Sequence, residues 1–404
     1  MSRLDYRRKR QRELERQENG ENGFLGFVKR HMGLLILAGV VVLVSAAALI
    51  AALNPGFGGA LFGQSGTALY LDENTIFEMP YTTGEENVIA VQDDIAVFCT
   101  REKIMGLSGA GKTEWEIPLR LNDPLVSVAG EYILAADRGG KDIYLIHRGS
   151  ILLQTASAYN IINASVAPDG KFVVISDESY YKGLVTVKDA KGNEVFVWHS
   201  GSSYVIDAAL GSDTNKLALA VVNTALPAGE GAGGSFSGGV LQFNLYDTEP
   251  FQTHTFDGSL ITNVFRAGNG FLAVTDKECI GLTPDGEQSW TYGFGGKSLN
   301  KISKSDDLAV FALEETGGRK NIVVLDNNGK EKFVLDNAPN LSYIGSDADR
   351  VAYNNGNNIT VCDSAGKELY SIQTAKTFTE LLLFDGGRRA VGLSASSLDI
   401  LEIK

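Results

Sequence analysis

Short apolar segments and polar turns alternate along the chain from residue 67 to residue 404. The segments are rich in valine, isoleucine and aromatic residues, whereas glycine, aspartate and asparagine fill turns that recur about every 8–12 residues. No part of this region repeats its apolar residues with the period of a helix. The pattern therefore predicts an all-β domain, either a sandwich or a propeller.

One unit recurs within this pattern: a strand, a four-residue turn that ends in glycine, and an aromatic residue four positions after that glycine. A weaker copy, Gly149 followed by Leu153, has the spacing but lacks the aromatic ring. The full copies are Gly111 with Trp115, Gly192 with Phe196, Gly286 with Trp290, Gly329 with Phe333, and Gly366 with Tyr370.

The chemistry of this unit fits a β-hairpin. Aspartate or serine at the first turn position, as at Ser108, Asp189 and Asp326, can accept hydrogen bonds from backbone N–H groups further along the turn. Glycine at the fourth position supplies the positive φ that a bulge needs. The aromatic residue then points to one face of the next strand, where we expect it to dock one sheet against another.

A second hairpin precedes each unit, so that each repeat contains four strands. Successive repeats are 36 to 56 residues apart, near the roughly 40–50 residues of a propeller blade. The sequence therefore predicts a β-propeller of eight four-stranded blades, or of seven if one unit is misread. The predicted first strands begin at Val88, Leu125, Ile161, Val205, Ile261, Leu299, Leu341 and Phe378.

The last repeat is too short to form a blade by itself. Residues 378–404 hold only three predicted strands, while residues 67–79 form a strand-like segment with no partner nearby in sequence. We predict that this early segment completes the last blade. Such ring closure would remove a sheet edge that otherwise invites aggregation.

Residues 32–53 form an apolar run without a charged residue, which predicts a single membrane span. At about 1.5 Å per residue, a helix of this length matches the hydrocarbon core of roughly 30 Å. Lys29 and Arg30 directly precede the run, so the positive-inside rule places the N-terminus in the cytoplasm. A cleaved secretory signal is the alternative, since Ser45-Ala46-Ala47 loosely resembles a cleavage site.

These features divide the chain into four parts. The first 31 residues carry nine basic and five acidic residues, although the whole chain has a net charge of −13. The acidic excess therefore lies in the β-rich region, which argues against nucleic acid as a partner. The predicted parts are a basic cytoplasmic tail (1–31), a transmembrane signal-anchor helix (32–53), a glycine-rich flexible tether (54–66) and an extracytoplasmic β-propeller (67–404).

The units Gly111–Trp115 and Gly286–Trp290 resemble the blade motif of PQQ-like propellers, in which a fourth-strand tryptophan docks one blade on the next. The complete layout resembles a membrane-anchored family of Gram-positive bacteria, the domain of unknown function 5711, which implies no established activity. The propeller is also similar to the outer-membrane assembly scaffold lipoprotein, which binds partner proteins and catalyses nothing. This chain differs in having no lipobox cysteine near the span.

Residues that could carry chemistry are few. The adjacent cysteines typical of quinone dehydrogenases are absent, and Cys99, Cys279 and Cys362 are expected to be small buried strand residues. The histidines lack the spacing of metal ligands, and the Asp/Asn turns lack that of a Ca²⁺ loop. We predict no catalytic residue, no cofactor and no metal.

One insertion breaks the repeat. The unit that begins at Val205 is the longest, and its surplus, residues 224–239, is rich in glycine and low in charge. We predict a mobile surface loop there, because such a segment cannot bury a core. Pro227 and Phe236 are its candidate interaction residues; a tolerated insertion without function is the alternative.

The sequence therefore favours a protein-interaction scaffold that a membrane span holds at the cell envelope. A module that senses a small molecule or glycan is the alternative, and it would need a signalling partner because the tail has no room for an output domain. A quinone-type enzyme with an axial site is the least favoured of the three.

Overall fold

The computed structural model describes residues 74–83, 86–213, 215–225, 235–338 and 340–403, together with residues 9, 10 and 12. The chain divides into two units, Met1–Tyr70 and Leu71–Lys404. The described strands of the second unit form eight antiparallel sheets of four strands each. This arrangement confirms the predicted all-β propeller and its eight blades.

Each blade runs from an inner first strand to an outer fourth strand. Blades 1 to 4 contain β2 (Val88–Gln92), β3 (Ile95–Cys99), β4 (Lys103–Ser108) and β5 (Thr113–Pro118); β6 (Pro124–Ala129), β7 (Tyr132–Asp137), β8 (Asp142–His147) and β9 (Ser150–Ala156); β10 (Asn160–Val166), β11 (Phe172–Asp177), β12 (Leu184–Lys188) and β13 (Glu194–His199); and β14 (Tyr204–Leu210), β15 (Lys216–Ala225), β16 (Ser235–Asn244) and β17 (Gln252–Asp257).

Blades 5 to 8 follow the same order, except that the last blade takes its fourth strand from the start of the propeller. They contain β18 (Ile261–Ala267), β19 (Gly270–Thr275), β20 (Glu278–Leu282) and β21 (Gln288–Gly293); β22 (Ser298–Lys304), β23 (Leu308–Glu314), β24 (Lys320–Asp326) and β25 (Glu331–Leu335); β26 (Ile344–Asp347), β27 (Arg350–Asn355), β28 (Asn358–Asp363) and β29 (Glu368–Gln373); and β30 (Glu380–Phe384), β31 (Arg389–Leu393), β32 (Ser397–Glu402) and β1 (Thr75–Pro80).

Apolar side chains fill the junctions between neighbouring blades. In the described part of the chain, each of eight buried clusters combines residues from two adjacent blades, and together they close a ring. At the junction of blades 3 and 4, for example, Val187 and Phe243 are completely buried. Burial of apolar surface, which contributes about 25 cal/mol per Å², therefore holds blade to blade.

The ring closes through β1, as predicted. This strand pairs antiparallel with β32, where Phe77 lies opposite Ile400 and Pro80 lies opposite Ser397. Residues 67–73 of the predicted closing segment lie outside the described residues.

The glycine turns have the predicted chemistry. In the turn that ends at Gly329, Oδ1 of Asp326 accepts hydrogen bonds from the backbone N–H groups of Asn328 at 2.9 Å and Lys330 at 3.1 Å. Gly329 has a φ of 72°, and the pairing of β24 with β25 contains a bulge next to the turn. The local sequence therefore accounts for this hairpin.

Six of the eight predicted blade starts lie within one residue of the observed strand start, and two lie further away. Leu341 and Phe378 were predicted to begin first strands, but β26 begins at Ile344 and β30 at Glu380. Both residues are 2% exposed and pack into the junction cores just before their strands. An apolar residue in the sequence indicates burial but not strand geometry. The prediction therefore assigned these two buried residues to the strands that follow them.

The predicted bounds of the loop, residues 224 and 239, were both wrong. Strands β15 and β16 continue into it, and Thr224 pairs with Phe236. The glycines of this segment were predicted to be loop residues, yet Gly238 lies in strand β16. Glycine is needed there because a Cβ would lie 2.7 Å from the backbone nitrogen of Ile261 in blade 5. Residues 226–234, including Pro227, lie outside the described residues.

The three cysteines are free and buried, which confirms their predicted place in the core. Burial raises the pKa of each thiol to about 12, so they are inert at neutral pH.

The predicted span at residues 32–53 lies outside the described residues. Within the part of the chain that the structure describes, no helix has the length and hydrophobicity to cross a membrane.

The two ends of the propeller carry different segments. The connector face carries the links from each fourth strand to the next first strand, together with the turns between second and third strands. The opposite turn face carries the glycine turns. Because β1 is a fourth strand, it begins at the turn face with Thr75 and ends at the connector face with Pro80.

Candidate functional site

The two predicted docking tryptophans lie between blades. The ring of Trp115 in blade 1 lies against Gly149 in the glycine turn of blade 2, where an added Cβ would be 2.6 Å from Cδ1 of the ring. Trp290 in blade 5 covers Gly329 in blade 6 in the same way, and its Nε1 donates a hydrogen bond to the backbone oxygen of Asn327 at 3.2 Å. The tryptophan ring of one blade therefore packs directly on the turn glycine of the next blade.

The other turn glycines also face a side chain from the preceding blade. A Cβ on Gly366 would lie 2.8 Å from Cγ of Phe333, and one on Gly286 would lie 2.6 Å from Cβ of Gln252. Gly111 faces Phe77 and Gly192 faces Leu153. The glycines are therefore required by this close approach as well as by their positive φ.

Phe196 and Tyr370 have different surroundings. Phe196 is 6% exposed and packs edge-on against Phe243 of blade 4, with ring centroids 5.4 Å apart. Tyr370 packs against the core between blades 7 and 8, which contains Ile403. The docking role of the aromatic residues stays a prediction until their removal is tested.

Sequence reasoning missed a second glycine beneath each docking tryptophan. Gly106 and Gly281 lie in third strands, and a Cβ on either would overlap the indole ring of the same blade. Each precedes its tryptophan by nine residues, at Trp115 and Trp290. That spacing is the signal that could have revealed them.

An axial channel of about 770 Å³ passes between the first strands of blades 1 to 7. Its wall is mainly polar and includes Ser127 and Ser165. Four aspartates also line it: Asp93, Asp207, Asp306 and Asp347. Among the residues that the structure describes, no three histidine, cysteine or acidic side chains come close enough to hold a metal ion.

Asp207 joins three blades at the channel wall. Its Oδ1 accepts hydrogen bonds from Nδ2 of Asn163 at 2.9 Å and from the backbone nitrogen of Ala208 at 3.0 Å. Its Oδ2 accepts one from the backbone nitrogen of Val264 at 3.0 Å. Both oxygens are therefore occupied, and the carboxylate links blades 3, 4 and 5.

The first strands of blades 5 and 6 place two cations in the channel, Arg266 and Lys304. The Lys304 ammonium donates hydrogen bonds to the backbone oxygens of Ser305 and Asp306. Burial lowers the pKa of Lys304 to about 8, and the charge of Arg266 lowers it further, while nearby aspartates oppose the change. The Lys304 ammonium is therefore held by the backbone of its own turn.

Exposed aromatic side chains gather on the connector face of blades 2 to 4. We call them the aromatic patch: Tyr159, Tyr180, Tyr181, Tyr204 and Phe236, with 36%, 93%, 42%, 50% and 40% of their surface exposed. Phe236 was expected as an interaction residue, whereas the tyrosines were missed. The adjacent pair Tyr180-Tyr181, within a polar turn, was the available signal.

Polar contacts organise the aromatic patch. Glu178 accepts a hydrogen bond from the Tyr159 hydroxyl at 3.1 Å and pairs with Nδ1 of His199 at 2.7 Å. The His199 ring lies 4.6 Å from the ring of Tyr181. Nζ of Lys182 lies 5.1 Å from the ring centroid of Tyr204. The patch is therefore held by contacts that cross from blade 2 to blade 4.

Comparison with known proteins places this fold among β-propellers. A family model described as "Family of unknown function (DUF5711)" matches residues 70–403. No curated protein sequence matches the chain.

Three solved structures share the fold at low sequence identity. BamB from Moraxella catarrhalis is 14% identical with a TM-score of 0.53, over 82% of this chain and 97% of that one. The computationally designed Ika8 protein is 13% identical with a TM-score of 0.61, over 82% and 100%. The C-terminal WD40 domain of Sif2 is 12% identical with a TM-score of 0.57, over 81% and 99%.

Proposed function

This chain belongs to the DUF5711 family of unknown function, and we propose that it acts as a protein-interaction scaffold at the cell envelope. The aromatic patch on the connector face is the observation that carries the proposal. Tyrosine is enriched where proteins bind one another, since its ring offers a large contact area and its hydroxyl a polar end. Tyr180 leaves 93% of its surface exposed and Tyr181 lies beside it in blade 3, while the other patch residues lie on the connector face of blades 2 to 4.

The proposed place of the propeller is outside the cytoplasmic membrane. The uncharged run at residues 32–53, preceded by Lys29 and Arg30, supports a single-pass anchor with the N-terminus inside. An anchor raises the effective concentration of the propeller for partners in the same membrane. The aromatic patch lies on the connector face, opposite the turn face at which β1 begins.

The scaffold is tested by co-purification of the full-length protein from detergent-solubilised membranes. We expect a partner protein in stoichiometric amount with the wild type, and at least about tenfold less with the double variant Tyr180→Ala/Tyr181→Ala, because exposed aromatic residues dominate interface energies. Tyr246→Ala is the matched control, since Tyr246 is 77% exposed but lies on the turn face. A partner that both variants retain equally, or no partner with the wild type, would contradict the proposal.

A ligand-sensing module is the second candidate, and the axial channel is the observation that favours it. Arg266 and Lys304 face a cavity of about 770 Å³, which is large enough for a small anionic molecule. Sensing would depend on a partner inside the cell. We rank an enzyme below both, because the Asp207 carboxylate is held by hydrogen bonds from three neighbours and serves the wall of the channel.

A further inference from the structure

The outer edge of blade 2 lacks the charged residues that six of the other seven outer strands have. Its fourth strand, β9, contains neither charge nor proline in the sequence SILLQTA, and Ile151 and Leu152 are 42% and 49% exposed. Exposed strand edges normally carry charged residues or proline, because their unpaired backbone N–H and C=O groups otherwise recruit further strands. An unprotected edge on a folded protein therefore requires an explanation.

The other blades provide an internal comparison. Strands β1, β5, β13, β17, β25 and β29 each contain at least one acidic residue. Strand β21 is also uncharged, but no large apolar side chain in it is exposed. Among the described fourth strands, β9 alone combines an uncharged edge with two exposed large aliphatic side chains.

Blade 2 also lacks the aromatic residue that follows the turn glycine by four positions in other blades. Leu153 stands where other blades have an aromatic residue, and it lies against Gly192 of blade 3. A groove of about 140 Å³ lies between blades 2 and 3, beside the end of β9. Its lining includes Val197, Tyr159 and Glu178. The groove gives an added strand a place to insert a side chain.

We propose that β9 binds an extended apolar segment of a partner protein, which joins blade 2 as an additional outer strand. This inference rests on the proposed scaffold function and names the kind of partner it would bind. Backbone hydrogen bonds along Ser150–Ala156 would supply affinity, and apolar contacts with Ile151 and Leu152 would fix the register. The partner segment would alternate apolar and polar residues.

Charge favours a different protein over a second copy of this chain. Each copy has a net charge of −13, and the groove is lined by Glu178 and Glu194 together with Lys188, whose Nζ lies 3.9 Å from Glu194. The side chain of Glu194 is 61% exposed, and two copies paired through β9 would bring these acids together. Repulsion of like charges opposes that pairing. The net negative charge of this chain therefore favours a partner strand that has lysine or arginine near its apolar residues.

The test uses a photo-reactive benzoylphenylalanine in place of Gln154, an exposed residue of β9, in the full-length protein in its native membranes. Mass spectrometry of the crosslinked peptide identifies the occupant. We expect a segment of another protein with alternating apolar residues and at least one basic residue. A peptide from this chain itself, a segment without that pattern, or no crosslink would overturn the proposal.

A pair of variants separates this inference from the scaffold function. Ile151→Lys/Leu152→Lys is expected to lower the crosslink yield about tenfold or more, since lysine protects a strand edge. Gln288→Lys/Thr291→Lys, on the uncharged strand β21, is the matched control and should retain it. A β9 variant that keeps both its crosslink and its co-purifying partner refutes strand addition and leaves the scaffold intact. Loss of the partner from the wild type refutes the scaffold itself.

Discussion

Alanine in place of Gly329 is expected to lower the free energy of unfolding of the propeller by about 2–6 kcal/mol. Gly329 has a φ of 72°, where a Cβ costs about 1–3 kcal/mol. The new Cβ would also overlap the Trp290 ring, which adds the cost of overpacking, about 1–3 kcal/mol. Equilibrium unfolding of the full-length protein in denaturant measures the change.

A double-mutant cycle separates the two causes. Trp290→Ala alone should cost about 3–5 kcal/mol, because it removes a large interblade side chain. In that background, Gly329→Ala should cost only the backbone strain, since the ring is gone. Gly296→Ala is the matched control, because Gly296 has a φ of 79° and no atom within 4 Å of the added Cβ. Equal costs for Gly329→Ala with and without the ring would show that Trp290 does not dock on this turn.

The carboxyl group of Asp207 is expected to make the propeller less stable as the pH rises from about 4 to 7. Burial raises the pKa of Asp207 in the folded protein to about 6, above the usual value of about 3.9 in an unfolded chain. A raised carboxyl pKa means that the folded state binds the proton more tightly, so this contribution is complete at low pH. It is lost as the pH passes through the folded pKa.

The variant Asp207→Asn isolates this effect. The asparagine cannot titrate, so the variant does not lose this contribution as the pH rises. The free energy of unfolding of the variant minus that of the wild type should therefore increase by about 2 kcal/mol from pH 4 to pH 7. The asparagine side chain has only one acceptor oxygen, so the backbone N–H of Val264 would face an NH₂ group in place of Oδ2. This loss lowers the free energy of unfolding of the variant by the same amount at every pH. Parallel pH profiles for the two proteins would show that Asp207 does not titrate with a raised pKa.

The sequence predicted features whose causes are local. The turn at Asp326–Gly329 depends on neighbouring residues alone, and repetition of such turns revealed the blades. The closing strand was also predictable, because the short last repeat needed a partner. The blade starts at Leu341 and Phe378 were misplaced by a few residues, since a buried side chain next to a strand has the same pattern as one inside it.

Contacts between blades could not be predicted in the same way. Trp290 and Gly329 are 39 residues apart, and Asp207 and Val264 are 57 residues apart. These contacts depend on how blades rotate about the axis, which no local pattern records. The aromatic patch was missed for the same reason: Tyr159, Tyr180 and Tyr204 belong to separate segments that meet only in the folded ring. Sequence reasoning therefore gave the architecture and missed most of the surface that we propose for binding.

The most direct test of the account is the labelling of single cysteines in intact cells with a membrane-impermeant maleimide. The native cysteines are buried, so Tyr180→Cys and Tyr246→Cys report the connector face and the turn face. The account predicts that position 246 is labelled rapidly and position 180 slowly, because a partner covers it, and that detergent which removes the partner makes the two rates equal. Labelling of either position only after lysis would contradict a propeller outside the membrane, and equal rates in intact cells would contradict a partner on the aromatic patch.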